Sequence, residues 1–225
     1  MRCHLIAALL PLIIVVACES NKDYGRKRQR DYSQNYSRSP LSYSTPTRGR
    51  TSNAGMLRQI NLRRDFVSRR FSSMRPRYIT IHSTQNYSGD AYAHARALHN
   101  RALGRIIWHF TVQDSVAIQH MSTTKKGNHA DHDGPGNKYS IGIEMCEHRG
   151  NSQSRTLDRT AKLTAYLMKK HRIPLSNVVP HYHWPRWGKY PPNKNCPHFL
   201  MTNGRPGRKW QTFKKRVGRY YRTIG

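Results

Sequence analysis

Apolar and polar positions along the chain fall into several distinct rhythms. Tyr78-Ile-Thr-Ile-His82 alternates with period two and is rich in β-branched residues, which predicts a strand ending at a histidine. Residues 106–112, 115–119 and 139–145 read as further strands, the second following a turn at Gln113-Asp114. Between them, residues 90–103 carry Ala91, Ala95, Leu98 and Ala102 at helical spacing and stop before Gly104. Residues 157–171 make the strongest helical pattern, with Leu157, Ala161, Ala165 and Met168 on one face and Pro174 beyond the end. Near the C-terminus Trp210, Phe213, Val217 and Tyr220 recur at intervals of three, four and three, which suits a short amphipathic helix laid on the domain. Leu57, Ile60, Phe66 and Val67 hint at a short helix over 57–71. Strand, helix, strands, helix, strand predicts an α/β fold with a central mixed β-sheet flanked by helices.

The N-terminus follows another logic. Residues 5–16 form an apolar run interrupted by Pro11. Twelve residues span about 18 Å as a helix, too short for a hydrocarbon core of about 30 Å. The run therefore reads as a signal peptide over 1–17, and the chain as exported. It closes on Val15-Val16-Ala17-Cys18, which resembles a bacterial lipobox and marks Cys18 for lipidation. Glu19, rather than Asp, follows Cys18, which points to the outer membrane or periplasm if the host has two membranes. Several acyl chains together would give stable membrane attachment through a lipid anchor.

Charge changes the picture further. The chain of 225 residues carries 40 Lys+Arg against 11 Asp+Glu, a formal net charge of +29. More than half of that excess lies outside residues 76–202. Residues 18–75 contain Arg26-Lys27-Arg28-Gln29-Arg30 followed by polar stretches without sustained apolar periodicity, and read as a disordered basic tether. Residues 203–225 carry eight basic residues and no acid, and read as a basic C-terminal tail. Both suit anionic envelope polymers. Nucleic acid is disfavoured as a partner, because no recognition motif accompanies the charge and the leader directs export. Four cysteines are too few and too scattered for a disulfide framework. A monomer is expected.

Candidate chemistry gathers where strands end. His82 closes the first strand, His181 follows Val178-Val179-Pro180, and Cys196 sits in a loop before Pro197. Two imidazoles and a thiolate can form a three-ligand zinc set with a fourth position for water. Thirteen histidines allow many such triples, so spacing alone does not select this one. Of three glutamates, Glu144 and Glu147 lie in the presumed domain. Alternation places Gly142 and Glu144 on one face of their strand, and Ile141 and Ile143 on the other. Cys146 is expected to be a buried thiol.

Four segments carry a resemblance: Ile81-His-Ser-Thr84, Trp108-His-Phe-Thr-Val112, Gly136-Asn-Lys-Tyr-Ser-Ile-Gly-Ile-Glu144, and His181-Tyr-His-Trp184 with Lys194-Asn-Cys-Pro-His198. In this order they resemble the zinc-dependent N-acetylmuramoyl-L-alanine amidases of the amidase-2 family, relatives of phage lysozyme-type amidases and peptidoglycan recognition proteins. The resemblance covers residues 76–202 as a single catalytic domain. It implies one zinc (Zn2+) and hydrolysis of the amide between N-acetylmuramic acid and L-alanine in peptidoglycan or muropeptides. It also implies His82, His181 and Cys196 as ligands, with His183 and His198 as rivals. Glu144 is implied as the catalytic carboxylate and Lys194 as the lysine that stabilises the oxyanion. Trp108, where phage-type relatives have tyrosine, is placed among the substrate-binding residues; His109 is implied to face substrate or to stand just behind the site, and His129 resembles a substrate-groove histidine. The alternative is a non-catalytic peptidoglycan-binding module; retention of His82, His181, Cys196, Glu144 and Lys194 together weighs against it.

Overall fold

Residues 49–225 are described in this structure, a computed structural model. The expected signal peptide, Cys18 and the first part of the tether lie outside the described residues. The strands are β1 (Leu62–Arg64), β2 (Tyr78–Ser83), β3 (Phe110–Val112), β4 (Ala117–Gln119), β5 (Ser140–Met145) and β6 (Val178–Pro180). They form one sheet in the order β1-β4-β3-β5-β2-β6, in which β3 and β4 run antiparallel and every other pair is parallel. The helices are α1 (Asn53–Ile60), α2 (Ala91–His99), α3 (Pro135–Tyr139), α4 (Gln153–His171) and α5 (Arg208–Thr223). A two-stranded ribbon of β7 (Met201–Thr202) and β8 (Arg205–Pro206) precedes α5.

Alternation in β2 and β5 sorts the two faces of the sheet. Ile79, Ile81, Ile141, Ile143 and Met145 are buried together with Ala161, Leu163, Met168, Trp210, Phe213 and Val217 from α4 and α5. Thr80, His82, Gly142 and Glu144 therefore turn to the other face. Asp90 caps α2 by accepting from Ala93 N–H at 2.7 Å. The α4 helix ends at Arg172 in the left-handed region, and its last turn carries Lys169, Lys170 and His171, which suit the negative end of the helix dipole.

Two segments read as appendages belong to this fold. The α1 helix buries Met56 and Ile60 in the main core. Arg159 of α4 donates to Gln59 O at 3.0 Å and to Ile60 O, supplying partners for α1 carbonyls that the helix end leaves open. The chain then turns at Asn61, φ 51°, into β1, which pairs with β4 from Leu62 opposite Ala117. Only two apolar anchors among eight residues kept this helix below the sequence signal. The expected helix over 57–71 is thus replaced by a helix, a turn and a strand. At the other end, α5 has the amphipathic pattern expected, yet Trp210 and Phe213 enter the main core, so it is a structural helix rather than a tail. Thr51 N–H donates to Thr223 O at 2.7 Å and Gly225 N–H to Thr51 O at 3.1 Å, joining the two ends.

Candidate metal centre

Three strand ends converge on one point. His82 lies near the end of β2, Glu144 near the end of β5, and His181 immediately after β6. The carboxyl ends of parallel strands are where open α/β sheets place ligands. His82 and Glu144 are directly opposite in the parallel ladder between β2 and β5. A loop returns Cys196 to the same point; Tyr182 N–H donates to Cys196 O at 3.0 Å and His198 N–H to Ser83 Oγ at 3.2 Å. Among the described residues, His82, His181 and Cys196 form a group whose donor atoms all lie within 4.8 Å of one another, and all three are buried.

Hydrogen bonds set the protonation pattern of this group. His129 Nε2 lies 3.2 Å from Ser140 O, and a carbonyl can only accept, so that nitrogen carries the proton. His129 Nδ1 is then bare and accepts from His82 Nε2–H at 3.0 Å, which leaves His82 Nδ1 bare as well. His181 Nε2 donates to Ala130 O at 3.0 Å, leaving its Nδ1 bare. The two bare Nδ1 atoms face each other at 2.9 Å. Two lone pairs so close repel unless a cation lies between them. With the Cys196 sulfur alongside, the donor set fits a borderline-soft metal such as zinc.

The electrostatics agree with neutral rings. Burial pushes His82 well below the ordinary imidazole value, helped by the fields of His181, His129 and Lys194. Burial, then Lys194, pushes His181 down to about 3. Burial likewise pushes His129 down to about 3. Neutral imidazoles offer lone pairs where an imidazolium could not. Glu144 Oε1 is 3.8 Å from His82 Nδ1, at the edge of the donor set, and its side chain is 16% exposed, so water reaches it. Lys194 is half-buried, and its charge reaches His82 and His181.

The structure separates the remaining candidates. Trp108 is buried at 4% exposure in a cluster with Val67, Leu98, Ile107 and Met121, and its N–H donates to Thr111 Oγ1 at 2.7 Å. No ring face is left for substrate, so its expected substrate-facing place is corrected to the core. His109 is wholly buried; its Nε2 donates to Lys125 O at 2.9 Å and its Nδ1 accepts from Gly142 N–H at 3.0 Å. It fastens β5 and meets no substrate. His129, expected to line the substrate groove, is bonded to His82 Nε2 and to Ser140 O, and so supports a candidate ligand. His183 packs against Trp184 and His198 bonds Ser83 Oγ, so neither joins the donor group. Cys146 is buried among Ala91, Ala95, Val116 and Ile118, which raises its thiol pKa well above the ordinary value.

Sequence spacing carried no sign of the supports behind the donors. Trp184 N–H donates to Thr80 Oγ1 at 2.9 Å, and Asn137 Oδ1 accepts from His129 N–H and Ala130 N–H, each at 2.8 Å. One signal was available in the Gly142 position. The His129 ring lies across that glycine so closely that any side chain there would strike it.

Comparison with known proteins agrees with this arrangement. Residues 72–199 match the amidase-2 family, described as N-acetylmuramoyl-L-alanine amidase. The chain belongs to this amidase family. It is 37% identical over 167 residues to the N-acetylmuramoyl-L-alanine amidase XlyA of Bacillus subtilis, covering 71% of this chain and 52% of that protein. It is 38% identical over 163 residues to the amidase CwlH of the same organism, covering 68% of this chain and 60% of that protein. The chain therefore spans about half to three fifths of these curated relatives. Among solved structures, the catalytic domain of XlyA superposes with a TM-score of 0.61 at 38% identity, covering 70% of this chain and 99% of that one. PlyL superposes with a TM-score of 0.58 at 27% identity, covering 69% and 96%. The amidase family thus shares the mixed sheet and flanking helices seen here.

Proposed function

We propose that this amidase-family domain is a zinc-dependent hydrolase that cleaves the amide joining N-acetylmuramic acid to the L-alanine of the stem peptide. The observation that carries the reading is the pair of facing, unprotonated Nδ1 atoms of His82 and His181 beside the Cys196 sulfur, with Glu144 at their edge. His82, His181 and Cys196 would hold the zinc. Three protein ligands with an open position are the pattern of catalytic rather than structural sites. When bound, zinc supplies Lewis acidity that brings the pKa of water toward ~7 and polarises a carbonyl.

The chain's own groups do the rest. Glu144 takes a proton from the attacking water and delivers it to the departing alanine nitrogen. Lys194 sets an ammonium beside the site to offset negative charge as it develops on the carbonyl oxygen. His129 and the Ala130 carbonyl hold the two ligand rings in their tautomers, the outer support that metal-binding histidines require.

The deciding experiment is mass analysis of products from a defined muropeptide. Cleavage should release an intact stem peptide with a free L-alanine amino group and a muramyl sugar with its lactyl carboxylate. Products cut elsewhere in the peptide or the glycan would refute the reading. The proposal extends to export and acylation at Cys18, supported by the apolar run before it. Labelled palmitate should enter the wild type and not Cys18→Ser; equal labelling refutes acylation there.

A further inference from the structure

The segment between the second and third metal-binding candidates holds two aromatic rings that nothing in the described fold covers. Trp187 is 95% exposed and Tyr190 97% exposed, while the other large exposed hydrophobic residues, such as Phe66 at 50%, are half covered. The loop that carries them is braced. Pro185 and Asn193 form an antiparallel bridge across its base. Arg186 N–H donates to Pro192 O at 2.8 Å, and its guanidinium donates to Pro191 O at 2.9 Å, so this arginine closes the loop from inside. Gly188 takes φ 66° at the tip, a conformation glycine allows. Asn193 Nδ2 donates to Tyr182 O at 2.8 Å, tying the base to the turn that carries His181.

Rings held out in water by a braced loop add nothing to the core. Exposed apolar surface at the rim of a site marks a contact surface. The position narrows the occupant, because the loop springs from the residues between His181 and Cys196 and so flanks whatever extends from the reacting bond. Under the reading above, that bond hangs from a sugar within a glycan strand. A pyranose presents polar groups at its edge and C–H bonds on its faces. Those C–H bonds suit the electron-rich face of an aromatic ring. Trp and Tyr supply such a face with little rotamer entropy to lose. Residues 185–193 contain Arg186 and Lys189 and no acid, so stem-peptide carboxylates on the same polymer meet no repulsion.

We propose that Trp187 and Tyr190 form a stacking platform for the sugars that neighbour the amide-bearing muramic acid along the glycan strand. The proposal rests on the peptidoglycan reading and adds the subsite that grips the polymer.

The test uses the full chain with Trp187→Ala, Tyr190→Ala, the double variant and Trp187→Phe. The probes are glycan strands stripped of peptide, insoluble peptidoglycan, and a small N-acetylmuramoyl dipeptide lacking neighbouring sugars. Each alanine variant should bind stripped glycan about fivefold to tenfold more weakly, the scale of an aromatic contact residue. KM on insoluble wall should rise in step, kcat and turnover of the small substrate should stay at wild-type values, and Trp187→Phe should keep most of the affinity. Unchanged glycan binding by the double variant overturns the proposal. So does a loss seen instead in binding to anionic phospholipid vesicles or in self-association. A wild-type chain that leaves the small muramyl dipeptide intact would overturn the amidase reading instead, while the stripped-glycan arm still decides on the platform.

Discussion

Gly142→Ala tests the support behind the candidate metal ligands most directly. A Cβ at this position would lie 2.8 Å from Cδ2, Cγ and Nδ1 of His129, whereas ordinary contact begins at 3.4 Å. The ring would have to retreat by about 0.6 Å, the difference between those distances. It is held on both nitrogens, at 3.0 Å by His82 and at 3.2 Å by Ser140 O. A shift of that size takes either bond beyond hydrogen-bond range. Overpacking of this kind costs about 1–3 kcal/mol. In a domain of this size that corresponds to a Tm lower by about 2–12 °C. Loss of the His82 support should also weaken metal binding about 10–100-fold. Thermal denaturation of the metal-free chain and zinc titration against a chelator would measure the two effects separately. His129→Ala removes the clash, so the double variant should be no less stable than His129→Ala alone. A Gly142→Ala chain with wild-type Tm and wild-type zinc affinity would refute the reasoning.

Other consequences are equally open to measurement. Cys196→Ala should lose its zinc along with activity; metal analysis finding one zinc per chain would place the third ligand elsewhere. Glu144→Gln should retain zinc and lose about 10²–10⁴ in turnover of a muramyl peptide, and near-normal turnover would dismiss it as the base. Lys194→Ala should retain zinc and lose about 10²–10³, and a smaller change would remove it from the oxyanion role. Trp210→Ala should destabilise the chain by about 3–5 kcal/mol in a urea titration, and an unchanged midpoint would return α5 to the status of a tail. Stability of the metal-free chain should fall as pH drops from about 6.5 toward 3. Burial holds His109 and His120 at about 3 in the fold, so the unfolded chain takes up protons first across that window. Equal urea midpoints at pH 7 and pH 5 would contradict this.

Part of the site was legible because His82 and Glu144 lie on strands whose alternation is strong, whereas the grouping with His181 and Cys196 came from the family resemblance. The Tyr78–Ser83 and Ser140–Met145 strands announced themselves by β-branched residues at every second position, and that rhythm put Glu144 on the His82 side. Helix α4 was visible for the same reason, although it begins at Gln153, four residues before its first apolar anchor. The short strands β3 and β4 were overextended, because Ile106, Ile107 and Val116 serve packing outside the ladder. Trp108 and His109 were misplaced for a related reason. A motif identifies residues that stay together, yet a buried tryptophan bonded to Thr111 and a histidine clamped between Lys125 O and Gly142 N serve the core rather than the substrate. The α1 and β1 segments were missed because their stabilisation comes from Arg159 and Ser115, far along the chain.

The three metal-binding candidates are also drawn from distant parts of the chain. His82 and His181 are 99 residues apart, and the Ser83 contact that settles the Cys196 loop spans 115. Closing loops of that length carries an entropic cost that must be met before the contacts offset it. No fragment ending before Cys196 contains the full donor set, and α5, which completes the core under β2 and β5, lies later still. A chain cut before Cys196 lacks one of the three candidate donors, so the complete donor set arrives with the last elements rather than growing with length.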